Sequence, residues 1–209
     1  MTQLLLVRHG EPVAATVDTT VASVPGTPGA DPDLSARGHA QAQALATWIA
    51  TSPDAAAIAE VVVSPMRRAR QTASPALRVL GGEPTQDDDL AEFDRGQPTY
   101  RPVHERDDDD AEWQRIRRGV FPSFVDGPAF TARVLGAVRA VAARHSGRAS
   151  VLVVCHAGVI NTYLASVLGL QRPLTFPLDH TSVSRVLVSR TGERRVWSVN
   201  ETQHVARVP

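Results

Sequence analysis

Two short, wholly apolar runs each end on a histidine, and that pairing restricts the possible folds more than any other feature of the chain. Leu4-Leu5-Leu6-Val7 leads directly into Arg8-His9-Gly10-Glu11, and Val151–Val154 leads into Cys155-His156. Runs this short, apolar throughout and rich in β-branched residues, are the pattern of strands buried on both faces of a parallel sheet. Val61–Val63 is a third such run. Neighbouring parallel strands end on the same side of a sheet, so two imidazoles and an arginine are expected together at adjacent strand ends. Such a grouping suits phosphate handling, and it suggests phosphoryl transfer through a phosphohistidine.

Helical patterns separate the runs. Ala42, Leu45, Ala46 and Ile49 fall at i, i+3, i+4 and i+7 behind Ser35, a candidate N-cap. Ser64-Pro65 reads as an N-cap and first helical residue, and Ser74-Pro75 repeats the signal. A helix kinked or restarted near Pro75 is therefore expected, stopped by Gly81-Gly82 and carrying Arg67, Arg68 and Arg70 in its first turn. Val134, Val138 and Val141, with Leu135 and Ala142, mark a long helix ending at Gly147. Another is expected from about Gly158 to Leu168, with Gly169 as terminator. Alternating residues on either side of Thr191-Gly192-Glu193 predict a C-terminal hairpin. Strands alternating with helices predict an α/β class, a three-layer α/β/α sandwich on a mostly parallel central sheet. Residues 12–33 and 94–127 break this rhythm and are expected as loops over the strand ends, where substrate selection usually resides.

The 209 residues are expected to form a single domain, residues 1–209. Lys+Arg 22 balances Asp+Glu 22, so no global field favours nucleic acid or an anionic membrane, and anion binding must be local. The lone Cys155 excludes an internal disulfide, the first residues lack a signal-peptide pattern, and no apolar run approaches the roughly 18 residues needed to span a bilayer. A cytoplasmic protein without nucleic-acid or membrane partners is expected, and a homodimer is compatible with the sequence.

A phosphoryl acceptor must be uncharged near neutral pH, and arginines beside an imidazole depress its pKa, so His9 is the candidate nucleophile. Guanidinium forks bind phosphoryl oxygens, which makes Arg8 and Arg68 the candidate phosphate ligands. His156 is read as a further clamp. An ester's leaving oxygen needs a proton. Glu92, with apolar neighbours in Leu90-Ala91-Glu92-Phe93, and Glu11 compete for that task. Cys155 reads as a core residue, Asp107–Asp110 as a solvated acidic loop, and Arg67 and Arg70 as surface residues. His39, His104, His145, His180 and His204 receive no role, while Thr181 and Ser182 are candidates for the pocket border. Trp113, Phe121 and Phe124 point equally to a ring-bearing leaving group or to a surface role.

Taken in order, several elements resemble the histidine phosphatase superfamily, in the branch that holds the phosphoglycerate mutases and their phosphatase relatives. They are Arg8-His9-Gly10-Glu11, Leu34-Ser35-Ala36-Arg37-Gly38 with Gln41-Ala42, Ser64-Pro65-Met66-Arg67-Arg68-Ala69-Arg70-Gln71-Thr72-Ala73, Leu90-Ala91-Glu92 and Cys155-His156-Ala157-Gly158. The resemblance implies His9 as nucleophile, Arg8, Arg68 and His156 around the phosphate, Glu92 as proton donor, and no metal or other cofactor. Glu11 leads into Pro12-Val13-Ala14-Ala15 with no Asn before residue 38, unlike mutase-type members, and Gly127-Pro128-Ala129 stands where a Gly-Glu-Ser element often opens the long helix. The first departure argues against a mutase and the second for a less polar pocket, while the complete set of nucleophile, clamp and acid argues against a non-catalytic phosphate-binding domain; a phosphatase of a small phosphorylated metabolite is expected over these two alternatives.

Overall fold

The computed structural model describes residues 1–16, 29–52, 57–102, 105–145, 147, 149–206 and 208. His104 and positions 17–28 of the first irregular stretch lie outside the described residues. Six strands form the main sheet: β1 (Thr2–Arg8), β3 (Ile58–Val63), β4 (Thr85–Gln86), β6 (Ser150–Cys155), β7 (Val183–Val188) and β8 (Arg194–Glu201). Their order is β4-β3-β6-β1-β7-β8. From β4 to β1 the neighbours are parallel, whereas β7 pairs antiparallel with β1 and β8 antiparallel with β7, the expected hairpin. The sheet is thus mostly parallel, as anticipated.

Among the described residues there are five α-helices: α1 (Ala36–Thr51), α2 (Arg67–Leu80), α3 (Ala111–Arg117), α4 (Gly127–Ala143) and α5 (Ala157–Leu168). Successive strand residues point to opposite faces, and the core divides accordingly. Leu4, Leu6, Val62, Val151 and Val153 pack with Val134 and Val138 of α4 and Val159 and Ile160 of α5. Leu5, Val7, Val61, Val63, Leu152 and Val154 pack with Leu45 and Ile49 of α1 and Ala69, Ala73 and Ala76 of α2. A helical layer therefore covers each face of the sheet. Among the described residues no helix is long and apolar enough to cross a membrane.

Local signals held in part. Ser35 caps α1 through the Gly38 amide, and all four predicted apolar positions of that helix are buried. Gly169 ends α5 in the left-handed region at φ 67°. α2 differs from expectation: its N-cap is Met66 rather than Ser64, and it runs unbroken through Pro75. Ala73 and Ala76, buried on either side of Pro75, hold both halves against the sheet, so tertiary packing outweighs the missing amide. α4 stops at Ala143, short of Gly147, where Arg144 and His145 turn aside to pair with Glu60. Residues 94–127 are not wholly irregular. They hold α3, N-capped by Asp110 from the acidic run, and β5 (Thr99–Tyr100), which pairs with β2 (Ala15–Thr16) in a two-stranded sheet.

Candidate active site

Register builds the site. In the parallel ladders Val7 lies beside Val154, which lies beside Val63. His9, His156 and Ser64 consequently emerge together from the ends of β1, β6 and β3. The His9 amide donates to the Cys155 carbonyl at 2.9 Å, and the two imidazole centroids stand 5.1 Å apart. His9 is buried, and its Nδ1 lies 2.7 Å from the Gly10 carbonyl oxygen. A carbonyl only accepts, so Nδ1 carries the proton and Nε2 is left with its lone pair. Burial first, then the charges of Arg68, His156, Arg8 and His180, hold this imidazole's pKa well below its ordinary value. A neutral imidazole with a fixed tautomer is competent for nucleophilic attack.

The loop carrying His9 is fastened through its backbone. The Gly10 amide donates to Thr72 Oγ1 at 2.9 Å, the Glu11 amide to Gln41 Oε1 at 2.8 Å, and the Leu34 amide to Gln71 Oε1 at 2.8 Å. Gly10 and Gly38 allow loop and helix to touch. A Cβ on Gly38 would stand 2.0 Å from the Glu11 carbonyl oxygen. These contacts give a physical reason for Gly10, Glu11, Leu34, Gly38, Gln41, Gln71 and Thr72 of the first three motif elements.

Two guanidiniums flank the imidazoles. Arg8 donates from Nη1 to the Leu178 carbonyl at 2.5 Å and from Nη2 to His180 Nε2 at 2.9 Å. Arg68, which is buried, grips both carboxylate oxygens of Asp94 through Nη2, at 2.8 and 2.9 Å, and lies 4.9 Å from the centroid of the Tyr100 ring. Arg8 Nε, Arg68 Nε and Nη1, and His156 Nδ1 are buried without a hydrogen-bond partner among the described residues. Buried donors seldom go unsatisfied, and these lie on three side chains around His9. His156 Nε2 is 2.7 Å from Ser64 Oγ, which already accepts the Met66 amide at 3.3 Å. With Nε2 engaged by the serine, Nδ1 is the ring nitrogen left without a partner among the described residues, and it is a donor in the tautomer whose Nε2 accepts the serine proton. Burial, followed by Arg68 and Arg8, keeps this ring's pKa well below its ordinary value too.

Glu92 is buried, and its carboxylate receives the Gly158 amide at 2.7 Å and the Phe93 amide at 3.0 Å. Desolvation and the neighbouring Asp94 outweigh these bonds and push its pKa up to about 7. A Cβ on Gly158 would fall 2.3 Å from Glu92 Oε1, so only glycine leaves room for the carboxyl there. Arg133 reaches across from α4 to the carbonyls of Asp89 and Ala91, at 2.6 and 3.0 Å, and secures the turn that presents Glu92. Glu11, the rival proton donor, also faces the cavity, but its carboxylate takes the Ser35 hydroxyl at 2.9 Å and pairs with Arg37 at 2.9 Å. Cys155 is buried, and desolvation raises its thiol pKa, as befits a core residue.

The structure thus brings Arg8, His9, Arg68, Glu92 and His156 together at one end of the sheet. All but the fully buried His156 line one cavity of about 980 Å³. Sequence reasoning missed three participants. Ser64, read as a helix cap, is the partner of His156. Asp94 anchors Arg68, and the only hint was its place two residues after Glu92. His180 contacts Arg8 and lies 5.8 Å from His9, ring to ring. Its successor Thr181 has φ 57° and donates its amide to the Arg8 and His9 carbonyls at 3.0 and 3.2 Å. A β-branched residue in that region costs on the order of 1–3 kcal/mol, so the strain marks a turn held in place for this contact. Arg67 and Arg70 are exposed, Arg67 pairing with Asp33.

Paired imidazoles, one buried and one partly buried guanidinium and a carboxyl of raised pKa at the ends of parallel strands define an anion-handling α/β enzyme. The family model of the histidine phosphatase superfamily (branch 1) matches residues 4–202, and the chain belongs to that superfamily. It is a histidine phosphatase-type enzyme. No curated protein matches it in sequence. Among solved structures it resembles a mycobacterial glucosyl-3-phosphoglycerate phosphatase complexed with VO3, with a TM-score of 0.73 and 22% identity over 96% of this chain and 99% of that one. It also resembles phosphoserine phosphatase from Entamoeba histolytica in complex with 3-phosphoglyceric acid, with a TM-score of 0.69 and 21% identity over 98% and 100% of the two chains. Phosphoglycerate mutase from Bacillus anthracis gives a TM-score of 0.69 at 20% identity over 98% and 95%.

Proposed function

We propose that the protein hydrolyses a phosphate monoester through a phosphohistidine at His9. The observation that carries this reading is the gathering of unsatisfied donors of Arg8, Arg68 and His156 around an imidazole whose Nε2 is bare. Those donors bind the phosphoryl oxygens and supply the positive charge that the transition state needs. His9 Nε2 attacks phosphorus in line. As the N–P bond forms, the P–O bond to the alcohol breaks, and the Glu92 carboxyl protonates the departing oxygen. Water then attacks the phosphohistidine, Glu92 takes up its proton, and inorganic phosphate leaves.

The test is a product balance on phosphoglycerates and simple phosphate esters. A hydrolase releases one phosphate for each alcohol formed. Transfer of the group to another hydroxyl without phosphate release would make the protein a mutase, and no turnover of any ester would make it a binding domain.

Ser64 enters this scheme as a positioning residue. Ser64→Ala removes the hydroxyl that sets the His156 tautomer, and kcat is expected to fall by about tenfold, the equivalent of one good hydrogen bond. Steady-state kinetics with a thermal melt check it. An unchanged kcat would show that the serine orients nothing.

A further inference from the structure

The phosphoryl group needs only the floor of the cavity, and a volume of about 980 Å³ far exceeds what a three-carbon acid fills. Two features of the remaining wall bear on what occupies it. First, its cations are spoken for. Arg37 pairs with Glu11 at 2.9 Å, Arg101 with Asp107 at 3.2 Å, Arg106 with Asp110 at 3.7 Å and Arg117 with Asp108 at 3.2 Å. The wall carboxylate of Glu112 is likewise engaged, by the Ser123 amide and hydroxyl. Unsatisfied buried donors in this region belong to Arg8, Arg68 and His156, all at the floor. A second anion on the substrate would have to compete with the wall's own carboxylates for these arginines, whereas a single phosphoryl group meets buried donors already waiting.

Second, the wall is rich in aromatic and aliphatic surface. Trp113 and Ile116 on α3, Phe124 beyond it, and Phe176 all line the cavity, and Phe124 is 47% exposed. Phe121, by contrast, is packed edge-on against Phe93 and Phe130 and belongs to the core. Apolar rings left facing a large cavity are covered favourably by an apolar or ring-bearing ligand. Asn161 fixes the Phe176 side of the wall, accepting the Phe176 amide at 2.7 Å and donating to its carbonyl at 3.0 Å.

Building on the phosphatase reading, we infer that the leaving group is an uncharged, ring-bearing alcohol seated on the Trp113–Phe124 wall, and that the substrate's negative charge resides in its phosphoryl group alone. The experiment compares kcat/KM for benzyl phosphate, ethyl phosphate and 2-carboxyethyl phosphate, three esters of primary alcohols. Benzyl phosphate is expected to exceed ethyl phosphate by about tenfold or more, mainly through KM, and the carboxylate is expected to confer no advantage. In Trp113→Ala and in Phe124→Ala, each measured separately, the benzyl-to-ethyl ratio falls toward one. Equal rates for benzyl and ethyl phosphate, a preference for the carboxyethyl ester, or a ratio unmoved in both variants would overturn the inference while leaving the phosphatase reading intact. Failure of all three esters to release phosphate would instead remove that reading, and this inference with it.

Discussion

His9→Ala is expected to lose at least about 10⁴-fold in kcat on any phosphate monoester, because the other described imidazoles and the thiol near it are engaged or buried, His180 by Arg8 at 2.9 Å. Cys155 is buried in the core with a raised thiol pKa, and His156 has its Nε2 bonded to Ser64. The variant retains the donors of Arg8, Arg68 and His156, so inorganic phosphate or vanadate should still bind within about tenfold of the unaltered protein. Rapid quenching of the unaltered protein with a labelled ester should trap an acid-labile adduct that the variant lacks. Brisk hydrolysis by His9→Ala would sink the proposed mechanism.

Glu92→Gln is expected to lower kcat/KM for alkyl esters by about 10²- to 10⁴-fold, the usual contribution of a general acid. The loss should be much smaller for an aryl ester whose leaving group departs without a proton. The pH dependence follows from the carboxyl's pKa of about 7. Glu92 must be protonated to donate, so alkyl-ester cleavage should decline as pH rises through about 7, and the variant should lack that limb. Stability carries the same sign. The folded-state pKa lies above the ordinary 4.5, so the folded state binds more protons, and the associated stability is complete below about 4.5 and lost as pH rises through about 7. Glutamine undergoes no such titration. Urea melts should therefore find the variant the more stable of the two at pH 8. A profile unchanged by the substitution would shift attention back to Glu11.

Much of this was legible in the chain, for physical reasons. Residues 4–7 of β1, 61–63 of β3 and 151–154 of β6 are buried, so they announce themselves as unbroken apolar runs, and residues at their ends inherit a predictable location. What escaped depends on which strand lies beside which. Ser64 follows β3, and only the placement of β3 against β6 turns a helix-cap signal into the partner of His156. α3 has seven residues, too few to show a period, and its cap was hidden in an acidic run. His180 owes its place to a left-handed turn at Thr181, a conformation that threonine does not advertise. The choice between Glu92 and Glu11 rested on their surroundings: Arg37 and Ser35 engage Glu11, while Asp94 and a glycine-lined niche surround Glu92.

The separation of the two imidazoles, 5.1 Å between centroids, is close to the spacing of about 4.8 Å between any two adjacent strands. The chemical ruler of this enzyme is thus the backbone ladder itself, a dimension that no side-chain exchange in the surrounding loops can stretch.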